Sequence, residues 1–576
     1  MARIRKIEIE NFRCIKSLTW QPSPGINCLI GAGDSGKSTV LDAIDLCLGA
    51  RRTVQFTDAD FHNLDVETPL TITLTIGELD DALRNLDTYG LFLRGYDGET
   101  GEVEDEPEKE LETVLSLQLT VRNDLEPSWS LISDRAMAQA VTRNLTWGDR
   151  VRLSPTLIGA LADFNLGWKR GSVLNRLTDE RADASVALAK AARDARGAFG
   201  ADAEKQLGVT LGLVLAAAGE LGIRVGKKVR ALLDAHSVTF NGGTISLHNE
   251  DGVPLHGLGV GSTRLLIAGL QRKAAAQSSI LLVDELEYGL EPHRIIRFLG
   301  SLGAKEEAPL LQAFITTHSP VALRELTGDQ LVVLREGGGC HDALNVGCED
   351  DVQSAIRLFP EAFLATSVIV CEGASEVGFL RGLDHARAAN GLPSIFACGV
   401  ALVDCGGGEA DRVFARASAF QRLGYRVAVL RDDDLKPSEN IVNAFTYAGG
   451  AVFSWRDGRA LEDELFQNLT DGAVSQLLHL ATELHGKELV DTNIRSASQN
   501  AKHLEAIQLE IVLDGLSAAS RIILGKASRS KKTGWFKSVS WMEEAAHTII
   551  APDLAKANAG FRNITEQVMM WSTDVG

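Results

Sequence analysis

Two hydrophobic runs each end in a pair of acids that could share a metal. Glu372 and Glu376 stand in Glu372-Gly-Ala-Ser-Glu376 after Ser367-Val-Ile-Val-Cys371. Asp432 and Asp434 stand in Arg431-Asp-Asp-Asp434 after Tyr425-Arg-Val-Ala-Val-Leu430. Both runs have the length and β-branched content of strands buried on two faces, as in a parallel sheet. Open α/β sheets carry their sites where such strands end. Carboxylates gathered there repel one another unless divalent cations neutralise them, and oxygen ligands suit Mg2+ or Mn2+. The chemistry implied is in-line phosphoryl displacement, with two cations about 3.5–4 Å apart holding the attacking and leaving oxygens. Glu376, four residues after Glu372, shares one side of the first helical turn with it and serves the second cation. A further strand, Ala451-Val-Phe-Ser-Trp455, precedes Leu461-Glu462-Asp463-Glu464-Leu465. There Glu462, ahead of Glu464, is the candidate fifth acid, against the alternative of a solvated helix start. Ala401-Leu-Val-Asp404 with Gly406-Gly-Gly408 is either a turn that a phosphate backbone can approach or only a tight turn.

A second chemistry lies near the N-terminus. The alternating strand Arg3–Phe12 and the strand Gly25–Ile30 lead to Gly31-Ala-Gly-Asp34-Ser35-Gly36-Lys37-Ser38-Thr39, then a helical pattern over Val40–Leu48. This is the phosphate-binding pattern G-x-x-x-x-G-K-[ST] in its strand–loop–helix context. Its backbone N–H groups cradle phosphates, Lys37 reaches the terminal ones, and the Ser38 hydroxyl can ligate Mg2+. The buried run Ser279–Val283 ends in Asp284-Glu285. Asp284 is placed to hold Mg2+, and Glu285 to orient or deprotonate the attacking water. After the strand Leu311–Thr316 comes Thr317-His318-Ser319-Pro320, which makes His318 a candidate γ-phosphate sensor. Either Gln55 or the Asp58/Asp60 pair could complete the nucleotide's Mg2+ site.

These elements belong to a chain of 576 residues, too long for one core. Its 45% hydrophobic and 23% charged residues are ordinary for a globular protein. No run approaches the roughly 18 apolar residues of a membrane span. The N-terminal residues run straight into a strand pattern, so a cytoplasmic location is expected. The eight cysteines form no CxxC pair and read as reduced thiols, with a zinc site at Cys340, His341 and Cys348 as the alternative. The formal charge of −19 argues against non-specific nucleic-acid binding by the whole surface. That charge is unevenly spread. Arg521, Lys526, Arg529, Lys531, Lys532 and Lys537 fall in one stretch free of acids, with Trp535 and Phe536 interleaved. Between the two chemistries, strand-like runs at Leu70–Ile76 and Val114–Val121 flank an acidic loop and read as an extended hairpin. Residues 155–235 are rich in Ala and Leu, with helical spacing from Val186 to Leu233 interrupted near Gly197–Gly200.

The order of the phosphate-loop elements, with the opening Ile9-Glu-Asn-Phe12-Arg13, resembles the ABC-type ATPase heads of the SMC and RecF group. In that group a signature loop of one head closes over the ATP of another. Leu258-Gly-Val-Gly-Ser262-Thr-Arg264 is the counterpart, although its wording departs from L-S-G-G-Q. One phosphate loop and one signature candidate per chain imply a homodimer or higher homo-oligomer. Residues 360–470 resemble the Toprim domain of topoisomerases, primases and certain nucleases. That resemblance gives Glu372 an acid–base or metal-binding role and makes Asp432 and Asp434 the D-x-D metal pair. The combination resembles the OLD family of ATP-dependent endonucleases, which includes the nuclease subunit of the Gabija anti-phage system. It implies a catalytic lysine in the C-terminal region, where Lys537 matches best and Lys526, Lys531 and Lys532 are alternatives.

The fold class expected is α/β: an ABC-type ATPase head with a helical dimerisation insertion, then a Toprim domain with a Rossmann-like parallel sheet and a helical C-terminal region. The boundaries are 1–155 and 249–345 for the two parts of the head, 156–248 for the insertion and 346–576 for the remainder. The function expected is an ATP-binding DNA endonuclease dependent on Mg2+ or Mn2+, active on phage or plasmid DNA. A separately encoded helicase-like protein is a further expected partner, and no membrane is involved. The rival readings are a nucleotide-sensing scaffold, a Toprim RNase and a DNA-repair ATPase.

Overall fold

The computed structural model describes residues 2–51, 53–159, 165–166, 172–177, 184–220, 227–228, 247–251, 254–275, 278–530 and 532–574. They form two units. One comprises Met1–Leu29, Gly36–Glu325 and Gly337–Asp342, and the other Ile30–Ser35, Leu326–Glu336 and Ala343–Gly576.

In the first unit, Arg3–Phe12 pairs antiparallel with both Ile15–Trp20 and Leu70–Gly77, and Leu70–Gly77 with Glu112–Val121. Short strands Leu93–Tyr96 and Pro127–Ile132 flank the last of these. The opening Asn-Phe-Arg has a structural purpose. Asn11 and Arg13 both take left-handed backbone angles (φ 55° and 49°), a region that asparagine tolerates well. The Asn11 side chain donates to the carbonyls of Asp65 (2.9 Å) and Thr68 (2.6 Å), and Arg13 pairs with Asp60 (3.1 Å). Phe12 between them is fully buried. The parallel part of the unit runs Ile26–Ile30, Gln312–Thr316, Ile280–Val283, Thr156–Ile158. All five residues of Gln312–Thr316 and all four of Ile280–Val283 are buried, which explains why the second is apolar throughout and the first from Ala313 to Ile315.

The interruption expected near Gly197–Gly200 does not occur: a single helix spans Ala184–Glu220. A glycine costs a helix only about 1 kcal/mol against alanine, and the surrounding alanines and leucines absorb it. The rest of the 156–248 insertion lies largely outside the described residues.

The second unit holds a four-stranded, wholly parallel sheet in the order Val400–Asp404, Ser367–Cys371, Arg426–Arg431, Ala451–Ser454. Cys371 is in register with both Asp404 and Leu430, so the acids that follow these strands emerge at one edge. Ala374–Ala389 is the helix that follows Glu372. On its inner face, a Cβ at Gly378 would lie 2.4 Å from the Val539 carbonyl oxygen, and one at Gly382 2.4 Å from that of Glu543. These two glycines, one turn apart, let the helix Val539–Ala545 lie directly against it. Trp455, Trp535, Phe536 and Phe561 fill the core between the sheet and the C-terminal helices. No described helix is long and apolar enough to cross a membrane.

Gly378→Val places a branched side chain in that helix contact. The expected loss is about 1–3 kcal/mol of stability, the range for overpacking, read as a lowered denaturation midpoint.

Candidate functional site

Glu372 leaves its strand half-buried, and its carboxylate accepts the Asp432 backbone N–H at 2.9 Å. Asp432 in turn accepts the Leu461 N–H at 2.9 Å, which aligns it with the positive end of the helix Leu461–Asn468. One carboxylate oxygen each from Glu372, Asp432 and Asp434 lies within 4.8 Å of the other two. That spacing suits a single divalent ion with ligands at about 2.0–2.6 Å. Glu376 is buried and caps its own helix, accepting the Gly373 N–H at 2.9 Å. Glu462 is buried beside it and accepts the Ser375 hydroxyl at 3.4 Å. Glu464 is taken up elsewhere, by Arg456 (2.9 Å) and Arg459 (3.6 Å). Asp433 alternates away from Asp432 and Asp434, paired with Arg431 (3.2 Å) and Lys436 (2.5 Å).

The electrostatics follow from this crowding. Burial pushes the Glu376 carboxyl up to about 8, and the charges of Glu462 and Glu372 add to the shift. Asp432 is held well above the usual carboxylate range, first by burial and then by Glu376, Glu462 and Glu372. Burial also raises Glu372 and Glu462. The five acids cannot all carry charge at neutral pH without a compensating cation. A divalent ion therefore fits this donor set.

Two basic groups face the cluster. Lys537 is exposed, and its charge draws Glu462 back toward ionisation. It is positioned by the two residues before it. Trp535 is wholly buried and edge-on to Phe466 at 5.7 Å, while the Phe536 carbonyl accepts the Ser375 hydroxyl at 3.3 Å. These aromatics are core anchors and not surfaces for stacking bases. Arg529 lies 3.3 Å from Asp434 and 3.0 Å from Asp463. Arg521 caps the helix end at the carbonyls of Phe466 (2.7 Å) and Leu469 (2.8 Å). Lys526 and Lys532 are exposed, and Lys531 lies outside the described residues. Beside the acids, the Gly407 N–H donates to the Glu372 carbonyl at 2.7 Å. Gly406, Gly407 and Gly408 all have positive φ (73°, 71° and 114°), and a Cβ at any of them would meet nothing within 4 Å.

At the phosphate loop, Gly31 has φ +137°, where a Cβ would approach the Leu334 carbonyl to 2.9 Å. Gly36 (φ +87°) opens the helix Lys37–Leu48, and Asp34 is also left-handed at +59°. Ser38 donates to Asp284 at 3.0 Å, and Thr316 donates to the same carboxylate at 2.6 Å. A hydroxyl and a carboxylate side by side suit Mg2+. Thr39 faces the Cys14 thiol at 3.3 Å. Glu285 is exposed with a strained backbone (φ 46°), and its N–H is fixed by the Thr316 hydroxyl at 2.8 Å.

Two residues missed in the sequence hold this loop. Arg264 is fully buried and donates to the carbonyls of Asp284 (2.9 Å), Glu285 (2.9 Å) and Tyr288 (2.7 Å). Glu287 accepts the Thr317 hydroxyl (2.6 Å) and the His318 N–H (2.8 Å), leaving the His318 ring exposed. Ser262 accepts a hydrogen bond from Arg294 at 3.0 Å. The only signals for these roles were the arginine that closes the signature candidate and an acid two residues past Glu285.

A sequence model for the family described as "AAA domain, putative AbiEii toxin, Type IV TA system" matches residues 26–324, more than half of the chain. The chain belongs to this family. It therefore carries an AAA-family ATPase domain, with ATP and Mg2+ as the ligands that membership implies. Among curated proteins, it is similar to the DNA replication and repair protein RecF of Chlorobium luteolum, 49% identical over 45 residues, 8% of this chain and 12% of that one. It is similar also to RecF of Prosthecochloris aestuarii, 36% identical over 72 residues, 12% of this chain and 20% of that one. The chain thus spans a fifth or less of these relatives' length. Among solved structures, it resembles an SMC head bound to the C-winged helix domain of ScpA (16% identity, TM-score 0.34, 59% of this chain and 96% of that one). It resembles also the SMC head domain from Thermotoga maritima (12% identity, TM-score 0.29, 60% and 99%).

Lys37→Ala is expected to abolish binding of a fluorescent ATP analogue. Glu285→Gln should keep binding and slow phosphate release by about 10²–10⁴-fold, the usual contribution of a positioned base. At the acidic cluster, Mn2+ titrated into metal-free protein at pH 7 should displace protons from Asp432 and Glu376. Calorimetry in buffers of different ionisation enthalpy measures that release. Because both carboxyls are raised, affinity should climb with pH, the Glu376 part of the rise ending above about 8. Asp432→Asn should weaken Mn2+ by more than the roughly 10–100-fold lost when an outer partner is removed.

Proposed function

We propose that this chain is a divalent-metal-dependent DNA endonuclease of the OLD type, with a Toprim site gated by its ABC-type ATPase part and a role in anti-phage defence. The observation that carries this reading is the convergence of Glu372, Asp432 and Asp434 within 4.8 Å at the C-terminal edge of a parallel sheet. Buried Glu376 and Glu462 and the exposed Lys537 lie beside that set. Bound divalent cations, one or two, would supply the activated water and neutralise charge on the leaving oxygen. The chain's own groups do the rest. Asp432 and Glu372 are pre-aligned by backbone N–H groups. The Lys537 ammonium, close enough to act on Glu462, would offset the charge that builds on the scissile phosphate. The open glycine turn at 406–408 leaves room for a sugar–phosphate backbone beside Glu372.

The division into a split head (1–155 and 249–345), an insertion (156–248) and a Toprim-bearing remainder (346–576) belongs to the same proposal. So does a homodimer or higher homo-oligomer, since one chain holds one phosphate loop and one Ser262 signature candidate. Phe199, Val209 and Leu213, exposed on the helix Ala184–Glu220, support a second copy as the partner of that helix. ATP closure between two such chains would control access of DNA to the acidic site, in the cytoplasm and alongside a helicase-like partner.

The ion pair of Arg529 with Asp434 favours a second reading. If that pair never opens, the acids are silent and the chain is a nucleotide-sensing scaffold. Supercoiled plasmid incubated with Mg2+ or Mn2+, with and without ATP, decides between them. Nicking is expected, with Glu372→Ala inactive and Lys537→Ala slowed about 10²–10³-fold, the cost of losing one charge-stabilising donor. Intact plasmid under every condition, across several DNA sequences, rules out the endonuclease.

A further inference from the structure

Arg529 occupies a position that the five acids do not explain. It caps the C-terminal end of the helix Ala518–Ser528, which packs against Leu461–Asn468 at Gly525. A Cβ at Gly525 would sit 2.5 Å from Asp463 Oδ1 and 3.1 Å from the Asp463 Cα, so only glycine permits the contact. Eight residues before Arg529, Arg521 ties the same helix to the Phe466 and Leu469 carbonyls. The guanidinium is thus delivered by a braced element and not by a mobile loop.

One nitrogen of Arg529, Nη1, serves two carboxylates of unequal setting. Asp463, at 3.0 Å, has a side chain only 8% exposed, and it also accepts the Ala460 N–H at 3.2 Å. Asp434, at 3.3 Å, is 37% exposed and belongs to the candidate cation set. An ion pair with a buried carboxylate is costly to break, because the partner is left uncompensated. A pair with an exposed carboxylate is worth little. The Asp463 side of the bridge is therefore the anchor and the Asp434 side the releasable contact. The planar guanidinium has further donors that match phosphate oxygens.

We propose that Arg529 is an exchangeable counter-ion of the acidic site: held by Asp463, it neutralises Asp434 while no cation is bound and turns to a phosphate oxygen of the substrate strand when a cation takes Asp434. This rests on the metal-dependent nuclease reading for its second half only. Its first half concerns the metal-free protein and stands without any cleavage.

The test has two arms. In the first, Mn2+ is titrated into DNA-free protein. Arg529→Ala and the longer Arg529→Gln should each bind Mn2+ about fivefold more tightly than the parent, the factor expected for losing an exposed competing ion pair. Lys526→Ala, which removes an equal charge one turn away, should change the affinity by much less. In the second arm, single-turnover cleavage of plasmid at saturating Mn2+ should fall about 10²–10³-fold in Arg529→Ala, with Arg529→Lys recovering part of the rate. Unchanged or weaker Mn2+ binding in both Arg529 variants, or an equal gain in Lys526→Ala, overturns the proposal. A parent protein that cuts nothing, with tighter Mn2+ in the variants, upholds the counter-ion and removes the nuclease. Normal cleavage by Arg529→Ala, with tighter Mn2+, overturns the transfer to phosphate.

Discussion

Mutual repulsion of carboxylates at one edge of a parallel sheet is the constraint around which the second unit is arranged. Glu372, Glu376, Asp432, Asp434 and Glu462 are brought together by two strand ends and two helix starts. Burial and like charge lift several of them above the ordinary carboxylate range. The fold compensates in three ways. Backbone N–H groups of Gly373, Asp432 and Leu461 point at carboxylate oxygens. Lys537 and Arg529 add positive charge at the rim. The remaining repulsion is relieved by protons or by divalent cations, which is the property a metal-dependent phosphodiesterase would use.

The same unit shows why the supporting helices are packed so tightly. Gly378 and Gly382 admit the Val539–Ala545 helix, and Gly525 admits the helix that ends at Arg529. The buried Trp535 and Phe536 then fix the chain next to Lys537. Small residues and buried aromatics thus determine where the Lys537 and Arg529 side chains stand. In the ATPase unit the corresponding brace is Arg264. Its buried guanidinium gathers three carbonyls of the loop after Ile280–Val283 and so stabilises the left-handed backbone at Glu285. Because Arg264 sits on the helix that begins at the signature candidate, the two motifs are mechanically joined within one chain.

Much of this was legible from residue types alone. The strands before Glu372, Asp432 and Asp284 could be read because the middle of a strand buried on both faces must be apolar. The phosphate loop could be read because its glycines are demanded by close backbone approach. The helix Ala184–Glu220 was misread at Gly197–Gly200, where good helix formers on either side outweigh two glycines. The basic stretch is divided by the fold: Arg521 is a helix cap, Arg529 is ion-paired, and the interleaved aromatics are core.

What the order of residues determined by itself was the inventory: a nucleotide-binding loop with its acidic strand, and two further acid-tipped strands of one parallel sheet. Local sequence carries these because each depends on neighbours within a few positions. Which acids meet, which arginine braces Glu285, and which cation opposes Asp434 were decided by tertiary packing alone. Those contacts join residues from 21 to 95 positions apart, and their selection depends on helix approach distances that no local pattern records.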